Sequence, residues 1–194
     1  MRKTACLWIG VFIFTASVSY AQSSSTREKA IVLKRMIELK HYSPRPVDDS
    51  FSVALFETII NAADPRRLVF TSQEYTQLVR YKNTLDDELK GSDWAFFDLF
   101  SRLYNKALTR SDSIVTNLLK KPVDFSINES ITSSRERSFN FATDNAALAN
   151  RWLRYLKYVM LDRIYDTYDA DTLKKTTFKD ALTTSEPSTR EKIK

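Results

Sequence analysis

The sequence predicts an all-α domain of about five to six helices packed as a bundle, with one long connecting loop near residues 122–144. Three observations carry that expectation. Apolar residues recur at three- and four-residue steps over most of the chain. Helix-capping patterns stand at the heads of those runs. Glycine is almost absent, with only Gly10 and Gly91 in 194 residues. Hairpin turns and phosphate-cradling loops need glycine for positive φ. Its scarcity excludes an all-β fold, a Walker loop and a dinucleotide-binding fingerprint.

The first residues have a different character. Arg2 and Lys3 precede the apolar run LWIGVFIF and then TASVSYA, which places Ser19 and Ala21 at the −3 and −1 positions of a cleavage point. That three-part layout is a secretory signal peptide, too short and too weakly flanked for a spanning helix. The expected division is 1–21 as signal and 22–194 as the helical domain, with cleavage after Ala21 and a periplasmic destination. Because the small-residue exit follows the apolar run directly, cleavage is favoured over an uncleaved anchor. Cys6, the one cysteine, stands too early for a lipoprotein cysteine and leaves with the signal. The exported chain then has no disulfide, no thiolate nucleophile and no cysteine metal ligand, and core packing must stabilise it. Losing Arg2 and Lys3 takes 30 basic residues to 28 against 24 acidic ones, so the net charge falls from +6 to +4. Charges so mild and interspersed do not suggest a nucleic-acid partner.

Each element follows from local pattern. In SSTREKAIVLKRMIELKHY, Ser25 and Glu28 have capping-box spacing, and Val32, Leu33, Met36 and Ile37 share one stripe, which predicts a helix over 26–40. SFSVALFETIINAAD repeats Phe51, Leu55 and Ile59 beside Phe56, Ile60 and Ala63, and stops where Pro65 disfavours helical geometry at Asp64. Thr71 and Glu74 form a second capping box, followed by Tyr75, Leu78, Val79, Leu85 and Leu89, with Gly91 as the closing left-handed residue. That predicts one helix from 72 to about 90. Ser92 or Asp93 caps a fourth helix that holds its stripe through Phe97, Phe100, Tyr104, Leu108 and Val115 to Pro122, with a bend near 109–113. KPVDFSINESITSSRERSFNFATDN has no sustained period and reads as a long loop. Leu148, Trp152, Leu156, Val159 and Ile164 restore the period in a fifth helix over 146–168. In the polar tail, Pro187 reads as the first residue of a further helix. The sequence stops about two turns later, as though cut.

Candidate sites are few. His41 follows the first helix, where a histidine can meet the helix dipole and the last carbonyls. With no second histidine and no cysteine after cleavage, zinc would have only carboxylates or water, which is poor zinc chemistry. Asp48 and Asp49 precede the second helix and suit capping. Asp162, Asp166, Asp169 and Asp171 lack the spacing, central glycine and closing glutamate of a calcium loop. Serines and lysines abound, but none sits in a strand-to-helix elbow and no glycine shapes an oxyanion hole. Trp94, Trp152, Tyr155 and Tyr158 fit a helical core or docking face. No residue is assigned a catalytic, cofactor-binding or metal-ligating role, and no cofactor is expected.

The series HYSPRPVDDSFSVALFETIINAADPRRLVFTSQEY, then LDDEL, then KPVDFSINES resembles the N-terminal domain of the tail-specific proteases, the carboxy-terminal processing peptidases. The matching features are His41-Tyr42, Asp48-Asp49 with Phe51-Ser52, Asp64-Pro65, Phe70 before a polar helix cap, and Lys121-Pro122 with Asp124-Phe125. They run over about Arg27 to Lys194, and their order is more specific than any one piece. The resemblance implies an exported serine endopeptidase that recognises protein C-termini through a PDZ domain and cuts with a serine-lysine dyad. Its helical N-terminal domain serves as scaffold. The catalytic serine and lysine and the PDZ carboxylate-binding loop have no matching positions here, so the chain is expected to be inactive alone. The implied partners are PDZ and protease domains of the same polypeptide, protein substrates and, by family analogy, a helix-rich adaptor lipoprotein. Membrane association is expected to be peripheral or absent. The alternative is a stand-alone exported helical module that binds a partner.

Overall fold

The computed structural model describes residues 17–44, 46–91, 93–127, 129–131, 140–167 and 177–193. Among them are seven α-helices: α1 (Ser17–Lys40), α2 (Asp49–Ala63), α3 (Ser72–Leu78), α4 (Leu85–Lys90), α5 (Ala95–Leu118), α6 (Asn145–Thr167) and α7 (Phe178–Ile193). The described residues hold no strand, only an isolated parallel bridge between Thr71 and Ala142. The all-α class is as expected, and the described residues between α5 and α6 hold no helix, as the expected long loop there requires. The helix count exceeds the expected five to six, for reasons that are local.

α1 begins at Ser17, nine residues before the expected start at 26, and Ser25 lies inside it. No Gly or Pro interrupts SVSYAQSSST, so the amides near Ser25 have intrahelical carbonyls and Ser25 is not a cap. Residues 1–16 of the expected signal lie outside the described residues. The expected third helix is two helices. A 3-10 turn over Val79–Tyr81 follows α3, and α4 starts afresh at Leu85. Thr84 gives α4 no side-chain cap. The Ser52 hydroxyl supplies one from α2, accepting from the Asp86 amide at 2.8 Å while donating to Asp86 Oδ1 at 2.6 Å. The 3-10 turn and this distant cap break a periodicity that reads as continuous.

α5 starts at Ala95, two residues after Asp93, and Ser92 lies outside the described residues. It runs uninterrupted to Leu118. Thr109 and Ser113 donate to the carbonyls of Asn105 and Thr109 at 3.1 and 3.0 Å, a bonding that bends helices slightly. α6 agrees with its expected span, and Asp144 caps it by accepting from the Ala147 amide at 2.8 Å. α7 corrects the reading of Pro187, which sits inside the helix rather than at its head. Thr177 heads α7 instead, its hydroxyl accepting from the Asp180 amide at 3.2 Å.

The chain divides into two compact units, Met1–Leu55 with Asn83–Ala95, and Phe56–Lys82 with Phe96–Lys194. In the first, α1 packs against α4. Arg27 donates to the Gly91 carbonyl at 3.2 Å and lies over the Trp94 ring, whose indole N–H donates to the Glu88 carbonyl at 3.0 Å. Leu85, Leu89, Ser52 and Asp86 are buried there. In the second unit, Phe56, Phe70 and Phe96 are fully buried, and Phe96 and Phe70 each face Phe100 at centroid distances of 5.8 and 6.1 Å. Phe/Phe pairs of this kind add about 1 kcal/mol beyond area burial. α6 packs on α7, and a second apolar cluster gathers Leu119, Leu156 and Met160 with Val115, Val123 and Ile193.

Candidate interaction surface

The stretch that gathers the sole histidine and a carboxylate pair connects α1 to α2. His41 ends α1 with its amide on the Ile37 carbonyl at 2.9 Å, and its exposed ring accepts from the Ser43 amide at 3.2 Å. Asp48 rather than Asp49 caps α2, accepting from the Ser50 hydroxyl at 2.6 Å and the Phe51 amide at 3.1 Å. Those two bonds hold the Asp48 carboxyl below its ordinary value.

The other signature residues are locks. Asp64, buried at the end of α2, accepts from the amides of Leu68, Val69 and Phe70 at 2.7, 3.1 and 3.0 Å and so folds the turn DPRRLVF back on itself. Arg67 in that turn has φ 54° and donates to the Asp64 carbonyl at 2.7 Å. Burial raises the Asp64 carboxyl, opposed by the three amides. At the head of α3 the expected capping box forms: Thr71 accepts from the Glu74 amide, and Glu74 accepts from the Thr71 amide at 2.9 Å. Arg110 of α5 grips both Glu74 oxygens at 2.7 Å and the Val69 carbonyl at 2.7 Å. Burial would raise the Glu74 carboxyl, but Arg110 and Thr71 outweigh it and hold it low. In the first unit Asp86 is likewise held low, burial being outweighed by Lys90 and Ser52. Near the loop, Glu186 of α7 accepts from the Val123 amide at 3.1 Å and pairs with Arg190. Sequence reasoning found the Thr71/Glu74 box but missed the Arg110, Ser52 and Glu186 partners, which stand 34 to 63 residues away.

The expected aromatic groups divide. Trp152 donates to the Leu68 carbonyl at 2.7 Å and meets Tyr155 edge-on, so both belong to the packing. Tyr158 is exposed beside a small cleft of about 140 Å³ lined by Phe125, Ile127, Ile131, Arg154 and Lys157. Asp169 and Asp171 lie outside the described residues. Among the described residues no group of three or more His, Cys, Asp and Glu side chains could hold a metal ion, and no helix is long and apolar enough to cross a membrane.

The most distinctive surface is on α1. Its part-buried row is Arg27, Ala30, Ile31 and Lys34. The stripe that the periodicity marks is turned outward: Val32, Leu33, Met36 and Ile37 are 57, 59, 57 and 49% exposed, and Leu39, which the stripe did not include, is 72% exposed beside them. Beyond the helix, Tyr42 is fully exposed. A shallow groove on this face, about 390 Å³, is lined by Glu28, Lys29, Val32, Leu33 and Met36.

The fold and its surface therefore define a helical domain in which buried carboxylates hold turns and helix ends and one helix carries an exposed apolar face. Residues 33–194 match the family model described as Tail specific protease N-terminal domain, and the chain belongs to that family. The match covers the Asp48, Asp64, Thr71 and Glu74 locks and most of the exposed α1 stripe.

Proposed function

We propose that this chain is the non-catalytic scaffold domain of a periplasmic tail-specific serine protease, one that degrades or processes proteins from their C-termini. The observation that carries this reading is the family match over residues 33–194. Under it, residues 1–21 direct export and are removed after Ala21. PDZ and serine-lysine protease domains of the same polypeptide are the partners of the helical domain, protein substrates are handled by the assembly, and an adaptor lipoprotein is a further partner. The buried locks support the scaffold role, because they fix turns and helix ends.

Three measurements test the reading. Sequencing the gene downstream should find PDZ and serine-lysine protease coding sequence in the same frame; a stop codon followed by an unrelated gene removes it. The chain alone should not turn over a peptide with an apolar C-terminus, and turnover abolished by no change outside the chain would make it an independent hydrolase. N-terminal sequencing of the periplasmic fraction should begin at Gln22. The exposed α1 stripe favours a second reading, a stand-alone exported module that binds a partner, and the same downstream sequence decides between the two.

A further inference from the structure

We infer that the outward face of α1 is a docking site for an acidic amphipathic helix of another polypeptide. At about 100° per residue, Leu39, Val32, Met36, Leu33 and Ile37 sweep an arc of about 160°. Lys29 and Lys40, both exposed, fall near the middle of that arc, about 16.5 Å apart along the axis at 1.5 Å per residue. Lys34 is already paired with Glu38 at 3.0 Å on the other side of the helix. The arc is thus an apolar strip with a cation at each end of its midline.

That placement selects the occupant. In a second copy pairing antiparallel through this strip, Lys29 would meet Lys40 of the other copy; in a parallel pair each lysine would meet itself. Like charges in such register are destabilising. A lipid surface would take up the apolar residues, but an interfacial helix keeps its cations on the polar face, not along the middle of the inserted one. A partner helix satisfies both demands. Its apolar ridge covers Val32, Leu33 and Met36, and carboxylates about 11 residues apart, three turns, reach Lys29 and Lys40.

The test uses the chain from Gln22 onward, since every buried residue of the described structure lies beyond that point, the first being Ser52. The probe is a synthetic helix with a leucine ridge and glutamates 11 residues apart, read by fluorescence anisotropy at about 0.15 M salt. Binding should weaken about tenfold or more in Leu33→Asp or Met36→Asp, as expected for uncovering a large apolar side chain. It should weaken about fivefold in Lys29→Glu or Lys40→Glu, and a lysine-for-glutamate probe should recover affinity on the doubly reversed chain. Leu33 and Met36 are more than half exposed and Lys29 and Lys40 are exposed, so circular dichroism should be unchanged in all variants. Equal binding of a scrambled probe, indifference to charge reversal, dimerisation through this face at the same salt, or preferential binding to phosphatidylglycerol vesicles would each overturn the proposal. So would binding to this chain but not to a longer polypeptide containing it, because the face would then be filled from within.

Discussion

Asp64 shows how one carboxylate can set a turn. Its two oxygens receive three backbone amides, and a buried donor left unsatisfied costs about 1–3 kcal/mol. Asp64→Ala should therefore lose about 5 kcal/mol, comparable to the whole stability of a small domain. Asp64→Asn, which turns an N–H₂ toward an amide, should lose about 2 kcal/mol. Urea midpoints at constant m-value measure both, and an unchanged midpoint in Asp64→Ala would remove the turn-setting role. Gly91 is the complementary case, a position defined by what it lacks. Its φ of 116° is a conformation that L side chains rarely adopt, while a Cβ there would meet nothing within 4 Å. Gly91→Ala should cost about 1–2 kcal/mol from backbone strain alone. The glycine was legible in the sequence, because a single glycine after an apolar run has few other uses. The Asp64 cage was not, because it exists only once Leu68 and Phe70 are buried.

At the scale of elements, legibility follows range. The Thr71/Glu74 box joins residues three apart and is readable from spacing. The break between α3 and α4 is not, since Tyr81, Leu85 and Leu89 continue the apolar period and the cap comes from Ser52, 34 residues away. Arg110 gives the head of α3 a pH dependence whose sign is fixed. The Glu74 carboxyl is lowered in the folded state, so its contribution is present above the unfolded value and lost as pH falls through the lowered folded value. Asp64 runs oppositely: its raised carboxyl favours the fold below the unfolded value, an advantage lost as pH rises through the folded one. Glu74→Gln should therefore flatten the acid-side fall in stability, seen as a smaller change in urea midpoint between about pH 6 and pH 3. α7 supplies the last prediction at this scale. Pro187 is exposed and inside the helix, where it removes the amide that would bond the Thr183 carbonyl. Pro187→Ala should stabilise by about 1–3 kcal/mol, raising the thermal midpoint. The proline misled the sequence reading because it is commonest at a helix head.

For the whole molecule, the outward stripe of α1 and the basic balance act against each other. Val32, Leu33, Met36, Ile37 and Leu39 are the kind of contiguous apolar surface that draws chains together. The stripe itself was readable from its spacing; its outward direction was not, since periodicity marks an apolar face without saying what covers it. Lys29 and Lys40 on that face oppose self-association, and their reach depends on salt. The screening length is about 10 Å at 0.1 M and about 3 Å at 1 M. The chain from Gln22 should bind an apolar dye throughout, remain monomeric at 0.1 M salt, and associate reversibly as salt approaches 1 M. Static light scattering across a salt series measures this. Val32→Glu with Met36→Glu should reduce both the dye signal and the high-salt association while leaving helical content unchanged. A mass already dimeric at 0.1 M would mean that apolar burial outweighs the lysine repulsion, and the face would then belong to a second copy of the chain.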